Sequence, residues 1–79
     1  MYFIKNKNSN LTGAIVLKNE IRDFFIAECN LCIDNNEGDK KQIKLWQKEI
    51  EKCENEIYSI EDIIEILEKE FDYTVQNFF

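Results

Sequence analysis

The sequence contains no histidine and no proline, and it has only two glycines and three cysteines in 79 residues. The missing histidine removes the commonest general base of enzymes. The two glycines, Gly13 and Gly38, stand far apart, so no glycine-rich turn is present to cradle a phosphate or present a nucleophile. Serine and threonine occur twice each, which leaves few hydroxyl nucleophiles. These absences predict a protein that is not an enzyme.

Three cysteines, an odd number, do not suit a disulfide framework and are typical of a reducing compartment. Cys29 and Cys32 have the C-x-x-C spacing of zinc sites, but a tetrahedral site needs four ligands. Cys53 would be the third ligand, and a carboxylate such as Asp34 would have to be the fourth. Redox chemistry needs a lowered thiol pKa, whereas this pair lies near the predicted C-terminus of a helix, whose dipole raises the pKa. We expect core cysteines and no cofactor, with a zinc site as the alternative.

No apolar stretch approaches the roughly 20 residues that span a bilayer. The first residues also lack the basic-then-apolar order of a signal peptide. We therefore expect a soluble, cytoplasmic protein. Apolar residues make up 44% of the chain and aromatic residues 13%, which is too much for a disordered protein. The length suits one small domain over residues 1–79, because nothing in the composition marks a linker.

The longest regular pattern lies in the second half of the chain, where apolar residues recur at alternating intervals of three and four. This spacing places them along one side of a helix. Ser59, with Asp62 three residues later, resembles a fresh helix start with acidic residues in its first turn. We predict two helices, 39–58 and 60–71, with one unbroken helix as the alternative. The residues of this apolar seam are Ile43, Trp46, Ile50, Cys53, Ile57, Ile60, Ile64, Leu67 and Phe71.

Two short β-prone runs, residues 2–4 and 14–17, flank a polar stretch that ends at Gly13. This order predicts a β-hairpin with Gly13 as a turn residue. The alternative is a helix that starts near Thr12 and absorbs the second run. Residues 73–79 are again β-prone, and they would either add a short strand to the hairpin or dock their two phenylalanines on the helices.

A further helix is predicted over residues 19–33, with Asn19 as the N-cap residue whose side-chain oxygen accepts from the first turn. The polar residues 34–38 end it, and Asp39 with Gln42 three residues later marks the next helix start. The predicted fold class is α+β and mostly helical, with an N-terminal β-hairpin, two or three packed helices and a short C-terminal strand. The apolar face of the first helix comprises Ile21, Phe24, Phe25, Cys29 and Cys32.

The flanks of the apolar seam oppose self-pairing. With Ile43 at heptad position a, glutamates fill most e and g positions, among them Glu54 and Glu61 at e and Glu49 and Glu56 at g. A parallel dimer would set Glu against Glu along most of its length, so a parallel coiled-coil homo-oligomer is disfavoured. We expect the seam to pack inside the monomer. The alternative is a small structural protein that oligomerises through the seam.

Charge is distributed unevenly along the chain. Residues 1–48 carry eight Lys/Arg and six Asp/Glu, or +2, whereas residues 49–79 carry two Lys and ten Asp/Glu, or −8; the sum is the net charge of −6. A polyanionic half repels nucleic acid and anionic membranes and attracts basic protein surfaces. We therefore expect no direct binding of nucleic acid or membrane, and a basic protein surface as the partner.

The acidic residues of the second half form the predicted partner-binding surface. Carboxylates every few residues along a helix approximate the charge spacing of a nucleic-acid backbone, so they would occupy a groove made for phosphates. Exposed aromatic side chains would anchor the contact, with Trp46, Tyr58 or Tyr73 as the candidates. The alternative is a solvated face that keeps the protein soluble. The predicted contact residues are Glu49, Glu51, Glu54, Glu56, Glu61, Asp62, Glu65, Glu68 and Asp72.

In composition, a small acidic chain rich in Lys, Asn and Ile is similar to small phage or mobile-element proteins that inhibit host defence nucleases, anti-CRISPR proteins among them. This resemblance implies a non-enzymatic inhibitor that acts in the cytoplasm of a host cell. Its partner would be a nuclease or another nucleic-acid-binding complex.

Overall fold

Three helices and a three-stranded sheet make up the described part of the computed structural model, which covers residues 1–8 and 13–77. The predicted fold class, α+β and mostly helical, is confirmed. The N-terminal strands and the C-terminal strand flank the helices in the sequence and meet in one sheet. In chain order the elements are β1 (Tyr2–Asn6), β2 (Ala14–Val16), α1 (Glu20–Asn35), α2 (Lys40–Glu54), α3 (Ile60–Glu70) and β3 (Tyr73–Asn77).

The sheet has the order β2-β1-β3, and both pairings are antiparallel. Tyr2 lies opposite Val16 on one side and Asn77 on the other, so β1 is the central strand. The predicted hairpin is confirmed, and so is a C-terminal strand that joins it. Part of the connecting turn, residues 9–12, and the two final phenylalanines lie outside the described residues.

Gly13 is required by a close approach of two strands. A Cβ atom at this position would lie 2.5 Å from the carbonyl oxygen of Ile4 and 2.7 Å from the ring of Phe3. Real Cβ atoms do not approach backbone oxygen so closely, so only glycine fits without a shift of β1. The sequence therefore indicates the right residue for a different reason, because Gly13 does not adopt the left-handed backbone of the predicted turn and is instead required by steric crowding.

The start of α1 differs from the prediction. Asn19 has helical dihedral angles, φ −73° and ψ −17°, and within the described residues its side chain makes no capping hydrogen bond. An N-cap side chain reaches the first turn from an extended backbone, which Asn19 does not adopt. Instead, the Leu17 backbone N–H donates to Oε1 of Glu20 at 2.8 Å. At the other end α1 runs to Asn35, two residues beyond the predicted boundary at 33.

The predicted break between α2 and α3 is confirmed, and the alternative of one unbroken helix is wrong. The hydroxyl oxygen of Ser59 accepts from the Asp62 backbone N–H at 3.1 Å, and the Asp62 carboxylate accepts from the Ser59 N–H at 3.0 Å. This reciprocal capping box starts α3. However, α2 ends at Glu54 rather than at residue 58, because Glu56 adopts a left-handed backbone with φ 57°.

The hydrophobic core lies between the helices and one face of the sheet. Helix α1 packs against both α2 and α3, and α3 also packs against β3. Phe25 is fully buried at the centre, with the rings of Tyr58 and Phe71 edge-on at 6.5 and 6.1 Å between centroids. The fully buried side chains are Ile21, Phe25, Cys29, Cys53, Ile63 and Leu67.

The apolar seam packs within the monomer, as expected. Cys53, Ile60 and Leu67 are buried, and the other seam residues are half-buried except Ile57, which is 66% exposed. Ile57 lies in the break between the helices, where it no longer follows the helical phase. Among the described residues, no helix is both long enough and apolar enough to cross a bilayer.

Candidate partner-binding site

The outer face of α3 is strongly acidic. Glu61, Glu65 and Glu68 are spaced by four and three residues, so they lie on one side of the helix, and Asp62 borders them. All four side chains are exposed, and the face they form is opposite the buried Ile63 and Leu67. With Glu70, helix α3 carries five carboxylates and one lysine, or −4. The capping box and the acidic first turn also stabilise the helix that presents this charge.

Lys69 offsets only part of the charge of this acidic face. Its Nζ lies 2.5 Å from Oε1 of Glu65, one helical turn away. This hydrogen bond and the negative charge of Glu65 raise the pKa of Lys69. Both side chains are well exposed, at 71% and 60%, so the pair contributes little to stability. The other three carboxylates of the face, Glu61, Asp62 and Glu68, have no ion pair within the described residues.

A groove between α2 and α3 adjoins this acidic face. One part, of about 350 Å³, is lined by residues of both helices, and a second part, of about 460 Å³, continues along α3 past Ile57. Tyr58, Ile66 and Glu70 line both parts, so the two parts adjoin each other. The groove has an apolar floor and an acidic rim. The remaining lining residues are Gln42, Leu45, Trp46 and Glu49 in the first part and Asp62, Glu65 and Lys69 in the second.

Tyr58, which lines the groove, contacts α2 through its hydroxyl group and its ring. Its hydroxyl donates a hydrogen bond to Oε2 of Glu49, and the ammonium of Lys52 lies 5.7 Å from its ring centroid. Burial and this hydrogen bond raise the pKa of Tyr58 to about 12, so the hydroxyl remains a donor at neutral pH. Glu49 is half-buried and also lies 3.9 Å from Lys52. Glu49 is therefore engaged within the protein rather than free on the predicted surface.

The other predicted contact residues lie away from the α3 face. Glu51 is exposed on the side of α2 that carries the lysines, and Glu54 and Glu56 line a separate hollow beside Arg22 at the turn between the helices. Asp72, at the turn before β3, has a left-handed φ of 56° and accepts from the side chain of Asn8 at 3.4 Å. The nine predicted carboxylates therefore do not form one continuous stripe.

The prediction of exposed aromatic anchors is wrong in detail, because Trp46, Tyr58 and Tyr73 are all half-buried. Trp46 and Tyr58 line the groove, and the ring centroids of Trp46 and Phe71 lie 5.2 Å apart. Tyr73 instead faces α1, where its hydroxyl donates to Oε1 of Glu28 at 2.8 Å. The periodicity of the sequence indicates on which face of a helix or strand an aromatic residue lies. Whether another element covers that residue depends on long-range packing.

No protein-family model, no curated protein and no solved structure matches this chain. A functional assignment therefore rests on the residues and their geometry. Six lining residues of the groove are outside the predicted set of carboxylates and aromatic anchors, and two of them, Ile66 and Glu70, line both of its parts. Their spacing of four places them together on the flank of α3, but only the position of α2 makes that flank part of a groove.

The cysteines lie at the core rather than at this groove. Cys29 and Cys53 are buried and Cys32 is half-buried. Burial raises the pKa of all three thiols, in the case of Cys29 to about 12. Such thiols are protonated at neutral pH, whereas redox chemistry uses thiolates. Within the described residues, no three His, Cys, Asp or Glu side chains are placed to hold a metal ion.

Proposed function

We propose that this protein is a non-enzymatic inhibitor that covers a basic, nucleic-acid-binding surface of a partner protein with the outer face of α3. The observation that supports this most is the combination of Glu61, Asp62, Glu65 and Glu68 on one exposed helical face with an adjoining groove. A face that only kept the protein soluble would not require an apolar groove with an acidic rim beside it.

The spacing of the carboxylates suits a surface that holds phosphates. Along the helix axis, the steps of four and three residues correspond to about 6 and 4.5 Å. Nucleic-acid phosphates recur at distances of the same order, and lysines or arginines of a partner that neutralise phosphates would meet carboxylates instead. The charge of α3 also increases the rate of encounter with a basic surface.

The groove supplies the apolar part of the contact. Tyr58 and Ile66 would pack against the aliphatic stem of a lysine or arginine from the partner, while Asp62 and Glu70 would pair with its charged end. An arginine inserted in this way is a common energetic centre of protein interfaces. The partner is a nuclease or another nucleic-acid-binding complex, as in phage-type anti-defence proteins. Nucleic acid itself is excluded by the charge of this face.

The alternative of an assembly protein that oligomerises through its helical seam has less support. Eight of the nine seam residues are buried or half-buried within the monomer, and only Ile57 is strongly exposed. A single isoleucine does not supply the apolar area of a stable oligomer.

The proposal is tested by capture from nuclease-treated host lysate, elution with a salt gradient and mass spectrometry, followed by affinity measurements on the purified partner. The double variant Glu61→Lys/Glu68→Lys should bind the partner about tenfold more weakly or worse. The matched control is Asp34→Lys/Glu37→Lys, which changes net charge equally at two exposed positions away from α3. The control should change affinity by about threefold or less.

Two results would overturn this proposal. One is a double variant of α3 that binds the captured partner as tightly as the native protein. The other is recovery of the protein alone, independent of salt, which would support oligomerisation through apolar surface instead.

A further inference from the structure

The outer face of α2 is basic, although Glu51 also lies on this side, three residues after Lys48. Lys41, Lys44 and Lys48 lie on one side of α2, spaced by three and four residues, and all are exposed. Leu45, 55% exposed, lies in a hollow between their side chains. Among the described residues the ion pairs are formed by Lys52 and Lys69, so this lysine face has no carboxylate partner in its own molecule.

The spacing of the lysine face mirrors that of the acidic face. From Lys41 onward the intervals are three and four residues, and from Glu68 backward to Glu65 and Glu61 they are also three and four. Each set spans seven residues, or about 10.5 Å of helix. Two helices with these sets therefore match residue for residue when they run antiparallel, whereas a parallel arrangement offsets the central pair by one residue, or about 1.5 Å. The matched pairs are Lys41 with Glu68, Lys44 with Glu65 and Lys48 with Glu61.

The two faces do not meet within one molecule. Both α2 and α3 pack on α1 through their apolar sides, which leaves the charged sides turned outward. We propose that the lysine face of one copy docks antiparallel on the acidic face of a second copy, so that the protein associates with itself through charge. This inference goes beyond the proposed function and does not depend on it, because it concerns the purified protein alone.

A second copy fits the lysine face better than other anions do. A second copy carries the same net charge of −6, so net charge opposes its approach as it opposes that of a nucleic acid or an anionic membrane. The local match of spacing is what favours the second copy. The acidic face of α3 is a compact patch whose spacing matches that of the lysines. The interface joins two different patches, the lysine face of one copy and the acidic face of another. Two copies can therefore form a two-fold dimer in which each lysine face binds the other copy's acidic face, or successive copies can form a chain.

Self-association would compete with partner binding. The acidic face that receives the lysines contains Glu61, Glu65 and Glu68, which are the same side chains that would contact the partner. Exposed ion pairs are individually weak and are screened by salt, so the contact is weak and reversible. The protein would therefore release its acidic face on dilution or on meeting a more basic surface.

Sedimentation velocity of the full chain tests this inference, over a concentration series at about 20 mM and about 300 mM salt. We expect association at low salt that weakens by about tenfold or more at high salt. Lys41→Glu/Lys44→Glu/Lys48→Glu and Glu61→Lys/Glu65→Lys/Glu68→Lys should each be monomeric. An equimolar mixture of the two should associate again, because the glutamates introduced on α2 of one variant then meet the lysines introduced on α3 of the other. Circular dichroism checks the folding of each variant, and the milder pair Lys44→Glu and Glu65→Lys replaces a triple variant that fails to fold.

Three outcomes would overturn the inference. They are a native protein that stays monomeric at low salt, a mixture of charge-swapped variants that does not associate, and association of the lysine variant with itself as strong as that of the native protein. Titration with a short DNA duplex and with anionic vesicles provides a further criterion. If the native protein binds either of them through these lysines more tightly than it binds itself, the assigned occupant is wrong.

The outcomes also separate this inference from the proposed function. The lysine variant retains the whole acidic face, so it should still capture the partner. If it fails to self-associate but captures the partner as the native protein does, both proposals are supported. If the mixture associates while no basic partner is captured, only the self-association stands.

Discussion

Gly13 and Gly38 are both required, but for different physical reasons. At Gly13 the limiting factor is space, because β1 occupies the position of any side chain. At Gly38 no atom lies within 4 Å of a Cβ position, but the backbone has φ 93°, where side chains are strained. The first glycine permits the hairpin, and the second turns the chain from α1 into α2.

Gly13→Ala should therefore destabilise the protein more than the replacement of Gly38 by a residue that tolerates left-handed backbone. The alanine methyl group would collide with the Ile4 carbonyl, and displacement of β1 should lower the free energy of unfolding by about 1–3 kcal/mol. The control is Gly38→Asn, since asparagine tolerates left-handed backbone and should lower it by less than about 1 kcal/mol. Urea unfolding followed by circular dichroism measures both. Equal stability of Gly13→Ala and the native protein would contradict the close approach.

Of the three predicted N-caps, Asp39 and Ser59 are confirmed and Asn19 is wrong; Asp39 Oδ1 accepts from the Gln42 N–H at 3.2 Å. Ser59 was assigned correctly because Asp62 completes a reciprocal motif that is visible in the sequence. Asn19 was assigned wrongly because asparagine is common both at N-caps and in turns. Its backbone follows a turn that the Glu20 side chain stabilises through the Leu17 N–H, a contact without a sequence signature.

At the level of elements, the start of α3 depends on the capping box. Ser59→Ala removes the hydroxyl that accepts from Asp62, and it should lower the free energy of unfolding by about 1 kcal/mol. Ser59→Asp keeps an acceptor at the N-cap and should restore most of that stability. Chemical denaturation of the three proteins at equal ionic strength provides the comparison. If Ser59→Ala and Ser59→Asp are equally stable, the cap does not stabilise α3.

The sequence predicts the elements better than their ends. Helical spacing and β-prone runs indicated each helix and strand, because local preference and burial agree there. The end of α2 was placed four residues too late, because Ile57 has the spacing of the seam although it lies outside a helix. Apolar spacing alone does not reveal that Glu56 adopts a left-handed backbone.

The candidate site is predictable only in part for a similar reason. The acidic face of α3 follows from local spacing, since its residues belong to one helix. The groove does not, because Trp46 and Ile66 come from different helices whose relative position is set by packing on α1. The same packing turns Glu49 inward to Tyr58, whereas the pairing of β1 with β3 places Asp72 beside Asn8.

At the scale of the whole molecule, a thiol and two tyrosine hydroxyls keep their protons to a higher pH in the folded protein than in the unfolded chain. The pKa of Cys29 rises from 9.0 to about 12 and that of Tyr58 from 10.0 to about 12, and the pKa of Tyr73 is also raised. The folded protein therefore binds more protons than the unfolded chain between these values. Stability from these groups is complete below pH 9 and is lost as pH rises toward 12.

We therefore expect the free energy of unfolding to fall with pH above about 9. Tyr58→Phe removes one of the titrating groups, so its stability should fall less steeply between pH 10 and pH 12 than that of the native protein. Tyr58→Phe/Tyr73→Phe should flatten the dependence further. Urea unfolding at a series of pH values gives the slopes. Identical slopes for the native protein and both variants would show that these hydroxyls do not control alkaline stability.

The pairing of β1 with β3 has a consequence for synthesis on the ribosome. Tyr2 pairs with Asn77, so the central strand emerges early but gains its second neighbour only after all three helices have been translated. Until then the nascent chain exposes one edge of β1 and the apolar faces that the sheet covers. Because contacts so distant in sequence form slowly, the decisive folding step follows translation of β3 rather than accompanying it.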